Sequence, residues 1–245
     1  MLKQDIYEII SNKEIAKNTY EMVLSGDTSA FCAPGQFLNI KLDGFYLRRP
    51  ISVCDYDDKT VTIIYKVVGK GTEVMAKMSA GEKLDILTGL GNGFDTSKSG
   101  DEPIVVGGGV GVPPMFNLAK KLISEGKSVT AILGFNSADE VFYKDEFEKI
   151  GANVIVATAD GSVGVKGFVT DAINTLSDYT YFYTCGPEPM LKAIYNTTNT
   201  SGQLSFEERM GCGFGACMGC SCKTKYGNKR ICKDGPILEK EEIIW

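Results

Sequence analysis

The sequence predicts a multidomain protein with an N-terminal antiparallel β-barrel, a doubly wound α/β domain built on a parallel sheet, and a small C-terminal cysteine-rich domain. Three observations predict this fold class. Short β-rich runs separated by turn signals fill the first part of the chain, and alternating apolar strands and helical segments follow. Five of the 8 cysteines then lie together between Arg209 and Cys232. We place the domains at residues 1–98, 99–205 and 206–245.

The first domain is predicted from short strands that end at turn residues. The segment Thr60–Val68 is rich in β-branched side chains, which favour strands. Pro34-Gly35 and Asp43-Gly44 are typical turn pairs, and many short strands with such turns indicate a small antiparallel barrel. The predicted strands are Ile6–Ile10, Tyr20–Ser25, Phe37–Leu42, Ile51–Cys54, Thr60–Val68 and Lys83–Leu87, with one short helix over Thr72–Met78.

Two segments of this barrel have the residue types of a phosphate and flavin site. Arg49 and Ser52 stand three residues apart at the start of a strand. The arginine fork matches phosphate oxygens, and the serine hydroxyl supplies a short hydrogen bond. The segment Gly69–Thr72 precedes the predicted helix, where free backbone N–H groups favour an anion such as a pyrophosphate. A surface arginine pair and an ordinary glycine turn are the alternative interpretation.

The second domain is predicted from strands that alternate with helices. Its strands are continuous apolar runs, which is typical of parallel strands covered on both faces. The predicted strands are Pro103–Val106, Ser128–Gly134, Asn153–Thr158 and Thr180–Thr184, with a last strand at Gln203–Phe206, and the predicted helices are Pro113–Glu125, Asp139–Ile150, Gly167–Leu176 and Glu188–Thr197.

The ends of two of these strands favour a dinucleotide. Gly107–Gly111 is a glycine-rich turn from strand to helix, and such a turn lets a pyrophosphate approach the backbone. It is not the G-x-G-x-x-G fingerprint, because a proline stands where the third glycine would be. Cys185-Gly186-Pro187 follows another strand and leaves room for a flat ring. Plain strand–helix packing and a buried structural cysteine are the alternatives.

The cysteine-rich segment has the spacing of an iron–sulfur site. Cys212, Cys217 and Cys220 follow the pattern C-x4-C-x2-C, and Cys232 follows after eleven intervening residues. This is the plant-type spacing of ligands to a [2Fe–2S] cluster. A zinc site and a disulfide framework are the alternatives, but structural zinc sites usually present two short pairs and disulfides suit small secreted domains. We interpret Cys222 as a bystander.

Composition narrows the classes of function. The net charge of −5 argues against nucleic acid as a main partner. The chain has 0 histidines, which excludes histidine triads and histidine metal ligands. Apolar runs do not approach the 18 or so residues of a membrane span, and the polar N-terminus does not fit a signal peptide. We therefore expect a cytoplasmic, reducing location.

The motifs occur in an order that resembles the ferredoxin–NADP reductase superfamily. That order is R-P-I-S, G-T, G-G-G-x-G-x-P-P, C-G-P-x-P-M and then the cysteine segment. The C-terminal cluster loop makes the chain similar to the electron-transfer subunits of type 1B dihydroorotate dehydrogenases (the PyrK family). The resemblance covers nearly the whole chain. Its most specific parts are Arg49–Ser52, Leu90–Phe94, Gly107–Met115, Asp160–Ser162 with Lys166–Asp171, and Glu208–Cys212.

The resemblance implies three cofactors in a chain of electron carriers: a [2Fe–2S] cluster, FAD and NAD. It implies a partner, an FMN-containing catalytic subunit that oxidises dihydroorotate for pyrimidine (UMP) biosynthesis, in a heterotetramer of two plus two. The orotate site would lie on that partner, so no catalytic residue is assigned here, although Cys185 is a candidate to assist hydride transfer. The implied ligands are Arg49, Pro50, Ile51, Ser52, Ile64, Tyr65, Lys66, Gly71 and Thr72 for FAD; Gly108, Gly109, Gly111, Cys185, Gly186 and Pro187 for NAD; and Cys212, Cys217, Cys220 and Cys232 for iron.

Three points stay open in the sequence. An NAD(P)H:ferredoxin or sulfide reductase subunit of the same superfamily is the nearest alternative function, and a non-enzymatic zinc-binding module is the alternative from another class. The preference between NAD and NADP is also open, because Asp139 follows the second strand of the α/β domain but has two possible roles. It either reaches a ribose or caps the next helix.

Overall fold

The computed structural model describes residues 2–245, and its first part is the expected barrel. Six antiparallel strands close in the order β1-β2-β5-β4-β3-β6. A short helix, α1 (Lys70–Ala76), connects the last two strands in sequence. The strands are β1 (Lys3–Ala16), β2 (Thr19–Ser25), β3 (Phe37–Ile40), β4 (Arg49–Tyr56), β5 (Thr60–Lys66) and β6 (Lys83–Leu90).

Strand β1 is much longer than the predicted Ile6–Ile10. Its first part, Lys3–Glu8, pairs with β6, and its second part, Glu8–Ala16, pairs with β2. The strand therefore forms a corner of the barrel. The second part carries the polar run Ser11–Glu14, whose low β-propensity hides it from a sequence pattern. The backbone hydrogen bonds of this run to β2 hold it in the strand, although its side chains do not favour one.

Strands β4 and β5 separate at one end of the barrel. Their pairing runs from Val53↔Ile63 to Tyr56↔Val61, with an irregularity after Val53. Before that point Arg49–Ser52 pair with β3, and Ile64–Lys66 pair with β2. One backbone edge of each segment is therefore free of strand pairing, and the two segments flank an opening in the barrel wall.

The second part is the doubly wound α/β domain that the sequence predicts. Its sheet has 7 strands in the order β10-β9-β8-β7-β11-β12-β15, where β15 is Ile237–Glu239 from the end of the chain, and every neighbouring pair except the last is parallel. The elements are β7 (Pro103–Gly108), α2 (Val112–Ser124), β8 (Thr130–Phe135), α3 (Lys144–Lys149), β9 (Asn153–Thr158), β10 (Val165–Lys166), α4 (Val169–Ile173), β11 (Tyr181–Cys185), α5 (Glu188–Thr197) and β12 (Gly202–Ser205).

The segment predicted as a helix over Asp139–Ile150 is different in the structure. Only α3 (Lys144–Lys149) is α-helical, after a 3-10 turn at Ala138–Glu140. Tyr143 has φ 65, a left-handed conformation that an α-helix cannot contain. The Tyr143 hydroxyl donates to Glu21 on β2 at 2.7 Å, so a contact with the barrel accompanies the break.

The cysteine-rich segment leaves the sheet of the α/β domain and returns to it. It contains a hairpin of β13 (Ser221–Thr224) and β14 (Gly227–Arg230). The final strand, β15 (Ile237–Glu239), then pairs antiparallel with β12. One apolar core joins barrel, sheet and loop, as it includes Phe37, Leu204 and Ile231. Across residues 2–245, none of the helices has the length and apolarity to cross a membrane.

Candidate functional site

Arg49 and Gly71 bring together the two segments of the predicted flavin site. The Arg49 guanidinium lies 4.7 Å from the centre of the Phe45 ring, and its Nη1 donates to the Leu47 carbonyl at 2.6 Å. A Cβ atom at position 71 would stand less than 3.0 Å from Nε of Arg49. The neighbouring Arg48 has a structural role instead, because its Nη2 pairs with Asp85 at 2.9 Å.

Thr72 fixes the turn that precedes α1. Its hydroxyl accepts from the backbone N–H of Val68 at 3.0 Å and donates to the Gly69 carbonyl at 3.0 Å. Thr72 is buried, so these bonds hold the turn and keep Gly71 against Arg49. Thr72 therefore fixes the backbone geometry of the predicted flavin site.

The side chains of the three β5 residues in the predicted site are engaged elsewhere. Ile64 is buried in the core shared with the α/β domain. Tyr65 lies in the barrel core, where burial raises its pKa to about 12 and its hydroxyl donates to Asn12 at 2.9 Å. Lys66 pairs with Glu140 of the α/β domain at 2.7 Å. What these residues offer a ligand is their free backbone edge.

A pocket lies where the barrel, the α/β domain and the start of the cysteine loop meet. Pro50 and Ser52 reach it from the face of β4 turned away from the barrel core, whereas Ile51 packs toward that core. Cys185 stands in the same wall at the end of β11. The remaining lining residues are Phe37, Ser205, Phe206, Glu207, Glu208, Met210 and Pro236.

The two segments predicted to hold a dinucleotide are in direct contact. A Cβ atom at Gly111 would stand less than 3.0 Å from the carbonyl oxygen of Cys185, which is rigid backbone. Gly108 likewise lies against Met190 of α5, so that a Cβ atom there would overlap its sulfur. The turn after β7 and the turn after β11 are neighbours because these strands pair in the sheet. Both turns lie at the carboxyl edge, where ligands bind in such sheets.

Burial controls the acid–base state of two groups in the pocket. Burial raises the pKa of the Cys185 thiol to about 12, and the Glu207 carboxylate adds to the shift. Burial of the Glu207 carboxyl raises its pKa as well. Sequence analysis did not single out Glu207, since a glutamate before a cysteine motif carries no pattern of its own.

The four predicted iron ligands form two pairs. The Cys212 sulfur accepts from the backbone N–H groups of Ala216 at 3.2 Å and Cys217 at 3.4 Å, and the Cys220 sulfur accepts from the Cys232 N–H at 3.4 Å. Cys217 is exposed, whereas Cys220 and Cys232 are buried. Among residues 2–245 no three acidic or cysteine side chains converge as they would on one metal ion. Two pairs suit a dinuclear cluster, in which each iron takes two protein ligands.

The electrostatic environments of the two pairs differ. Desolvation opposes ionisation of Cys212, but N–H groups of Cys217, Phe214 and Ala216 outweigh it and lower the pKa of this thiol. Burial, together with the adjoining Cys220, raises the pKa of Cys232. Backbone N–H groups aimed at sulfur also stabilise negative charge on a bound cluster. The residues present therefore fit a [2Fe–2S] cluster.

Cys222 lies apart from these pairs. It is opposite Lys229 in the β13–β14 hairpin and lines a second pocket near the C-terminus, which also includes Glu188 and Trp245.

Asp139, whose role the sequence leaves open, forms an ion pair. Its carboxylate lies 2.8 Å from the ammonium group of Lys17 in the barrel. The Asp139 side chain caps neither the 3-10 turn in which it lies nor helix α3, which follows.

Two protein-family models match the chain, one in the α/β domain and one in the cysteine-rich segment. The model of the iron–sulfur cluster binding domain of dihydroorotate dehydrogenase B matches residues 207–244. The model of the oxidoreductase NAD-binding domain matches residues 105–196. These ranges fall within the predicted third and second domains.

Relatives of similar length match almost end to end. The dihydroorotate dehydrogenase B (NAD(+)) electron transfer subunit of Fusobacterium nucleatum is 47% identical over 247 residues, which is 95% of each chain. The subunit of the same name from Geobacillus sp. strain WCH70 is 43% identical over 257 residues and 100% of each chain.

Solved structures show the same fold. A chain of the NADH-dependent reduced ferredoxin–NADP oxidoreductase, a structure described for flavin-based electron bifurcation, superposes with a TM-score of 0.90 at 29% identity, over 98% of this chain and 90% of that one. A ferredoxin NADP⁺ reductase from Neisseria gonorrhoeae with bound FAD and NADP superposes with a TM-score of 0.69 at 19% identity, over 80% of this chain and 90% of that one. The second likeness is one of fold alone.

Proposed function

The chain belongs to the family of dihydroorotate dehydrogenase B electron-transfer subunits, and on this basis we propose that it carries electrons from a catalytic partner subunit to NAD⁺. One observation carries the proposal beyond family membership. A single pocket is walled by Ser52 of the barrel, Cys185 of the α/β domain and Met210 of the cysteine loop, so three separate sites converge on it. A flavin exchanges single electrons with an iron–sulfur cluster and a hydride with NAD, which is the chemistry needed at such a junction.

The barrel residues would bind and orient the flavin. Arg49 presents a guanidinium held in place by Phe45 and Gly71, ready for a pyrophosphate. Pro50 and Ser52 face the pocket, while the free backbone edges of β4 and β5 offer hydrogen bonds to a ring system. The residues that we propose to bind FAD are Arg49, Pro50, Ile51, Ser52, Ile64, Tyr65, Lys66, Gly71 and Thr72.

The α/β domain would hold the nicotinamide nucleotide beside the flavin. In the turn containing Gly108, Gly109 and Gly111, the space beside Gly109 is open, so a pyrophosphate could approach the backbone there. Cys185, Gly186 and Pro187 stand at the next strand end, in contact with that turn. Because Cys185 keeps its proton far above neutral pH, its role here is to shape and dry the pocket rather than to act as a base.

The cysteine loop would hold the cluster and meet the partner. Cys212, Cys217, Cys220 and Cys232 are the ligands in this proposal, two to each iron. Phe214 and Met218 lie between these ligands in the chain and are 44% and 54% exposed, so the loop presents two large apolar side chains beside the proposed cluster. We assign to this face the docking of an FMN-containing catalytic subunit, in an assembly of two plus two. We propose the reducing cytoplasm as the location of the protein, because it keeps the ligand thiols reduced and available.

Reconstitution tests this function directly. The purified chain, loaded with FAD and iron, is mixed with the catalytic subunit of a dihydroorotate dehydrogenase B, and NADH formation from dihydroorotate and NAD⁺ is followed by absorbance. We expect NADH only when both chains are present. A pair of fully loaded chains that associate but transfer no electrons to NAD⁺ would contradict the proposal.

The likeness to the ferredoxin–NADP oxidoreductase chain supports one alternative. That chain superposes on 98% of this one with a TM-score of 0.90, so a role in an NAD(P)H:ferredoxin reductase is the second candidate. The same preparation decides between them. Electron exchange between NADH and a ferredoxin, without coupling to the dihydroorotate-oxidising subunit, would favour the alternative.

A further inference from the structure

Arg230 lies at the end of β14, next to the last of the proposed iron ligands, and every nitrogen atom of its guanidinium group donates a hydrogen bond. Nε and Nη2 donate to the two carboxylate oxygens of Asp234, at 2.9 Å and 3.1 Å. Nη1 donates to the backbone carbonyl of Gly215 at 3.0 Å. One planar side chain therefore joins two separate segments of the cysteine-rich loop.

The first of these segments carries Cys232. The Asp234 carboxylate also accepts from the backbone N–H of Arg230 at 3.0 Å, and the Asp234 N–H donates to the Arg230 carbonyl at 2.7 Å. Residues 230–234 therefore form a closed turn with the ligand inside it. The ion pair that closes the turn is only partly exposed, with side-chain exposures of 25% for Arg230 and 33% for Asp234, so solvent screens it incompletely.

The second segment connects Cys212 to Cys217. Gly215 lies between these two ligands, is buried and has φ 90, a left-handed conformation that glycine adopts without strain. A Cβ atom at Gly215 would overlap the side-chain carbons of Lys233, so this segment packs directly on the turn that carries the last ligand. A buried backbone carbonyl needs a donor, and Arg230 supplies one to Gly215.

We propose that Arg230 is a positioning residue for the iron–sulfur site, because its side chain fixes the segment between Cys212 and Cys217 against the turn that carries Cys232. The proposed ligands form two pairs, and Cys232 belongs with Cys220 in the second pair. A cluster that takes ligands from both pairs requires a set separation between them, and groups behind the ligands provide it. The proposal rests on the cluster of the proposed function.

The neighbouring Lys229 provides a matched control in the same strand. Its ammonium group pairs with the Glu242 carboxylate at 2.5 Å. This ion pair connects the hairpin to the C-terminal 3-10 turn at Lys240–Glu242, and so removing it weakens the hairpin at another place. Lys229→Gln therefore reports what the loss of an ion pair from β14 does by itself.

Arg230→Gln and Arg230→Lys test the role in the complete chain loaded with FAD, iron and sulfide. Glutamine is too short to hold both partners, and lysine keeps the charge but lacks the planar fork. We expect both variants to release iron to bathophenanthroline about tenfold faster than the wild type, as for the loss of one hydrogen bond to a charged group. The electron paramagnetic resonance spectrum of the reduced cluster should also change in line shape. Lys229→Gln should keep the wild-type rate and spectrum.

Amide hydrogen exchange in the metal-free chain measures the same bridge without the cluster. Exchange over residues 213–217 should be faster in Arg230→Gln than in the wild type, because the segment has lost its anchor. Wild-type iron release in either Arg230 variant, unchanged exchange in Arg230→Gln, or an equal effect of Lys229→Gln would each overturn the proposal. If one Arg230 variant fails to fold, the other decides by the same measurements.

These measurements also separate this inference from the proposed function. A wild-type chain that forms no cluster when loaded with iron and sulfide contradicts the function and the role of Arg230 together. A wild-type chain with a normal cluster spectrum, combined with unchanged iron release in the Arg230 variants, contradicts the role of Arg230 alone.

Discussion

The Arg49 guanidinium lies directly against Gly71, which leaves no space for a side chain at position 71. This contact joins strand β4 to the start of α1, two segments that are far apart in the sequence. It also holds the arginine away from solvent on one side, with Phe45 on another. The geometry of the proposed flavin site therefore depends on the absence of a single methyl group.

Gly71→Ala should displace Arg49 and weaken FAD binding. We expect at least a tenfold loss of affinity, equivalent to ~1.4 kcal/mol, measured by titrating the apoprotein with FAD. Gly69→Ala is the matched control in the same turn, because Gly69 has extended backbone and no atom lies within 4 Å of its added Cβ. Equal losses in both variants would show that the turn, and not Arg49, governs binding.

Gly111→Ala should impair nucleotide binding while sparing the other two cofactors. The new Cβ would collide with the Cys185 carbonyl, so the turn after β7 and the end of β11 must move apart. We expect the rate of FAD reduction by NADH to fall at least about tenfold in a stopped-flow measurement. Normal FAD and cluster spectra serve as the internal control, and an unchanged rate would argue against a nucleotide at this turn.

Cys212→Ser and Cys222→Ser should behave differently although both residues lie in the same loop. Serine at position 212 removes a proposed ligand, so the cluster should be lost while FAD remains. Serine at position 222 alters a side chain in another pocket, so the cluster should persist. Iron and sulfide analysis with the visible spectrum measures both. Retention of a full cluster by Cys212→Ser would remove that residue from the ligand set.

Cys185 should resist alkylation at ordinary pH. Burial raises its pKa to about 12, so below that pH the thiol form dominates and the thiolate fraction near pH 8 is ~10⁻⁴. Labelling by iodoacetamide should therefore rise only as the pH approaches the raised pKa, whereas the exposed Cys32 should react at pH 8. Mass spectrometry of the peptides reports both sites. Rapid labelling of Cys185 at pH 8 in the folded chain would contradict its burial.

Phe214→Glu should weaken association with the catalytic partner without disturbing the cofactors. A charge at the centre of an apolar contact typically costs ten- to a hundredfold in affinity, or ~1.4–2.7 kcal/mol. Isothermal titration calorimetry with the loaded chain measures the loss. Phe168→Glu is the control, because Phe168 is 71% exposed but follows β10, at the sheet edge opposite β15. If Phe214→Glu bound the partner with normal affinity, the partner would dock on another face of the chain.

Local patterns in the sequence predicted most of the elements and the chemical nature of each segment. Cysteine spacing, the glycine turn after β7 and the β-branched run of β5 each report on neighbours a few residues away. The same holds for α2, whose predicted bounds are shifted by one residue, and for α5, whose predicted bounds are the observed ones. These features are fixed by short-range geometry, so a sequence pattern contains them.

Features that depend on distant contacts were not predictable. The helix expected over Asp139–Ile150 is interrupted at Tyr143, which bonds Glu21 in the other domain. Likewise, the sequence gives no reason why Arg49 should face Gly71 while Arg48 pairs with Asp85. The position of Glu207 in the wall of the common pocket also depends on three domains at once.

The return of the chain to the sheet at β15 has a consequence for how the cluster is acquired. Ser205 and Ile237 are paired neighbours in adjacent strands, ~5 Å apart, so the ends of the cysteine segment are closed by backbone hydrogen bonds. Closing a flexible loop costs entropy that grows with its length, and here the sheet has already met that cost. The two ends of the cysteine segment are thus already paired when iron and sulfide bind. We therefore expect cofactor insertion to be a late step in maturation, after both nucleotide domains have folded.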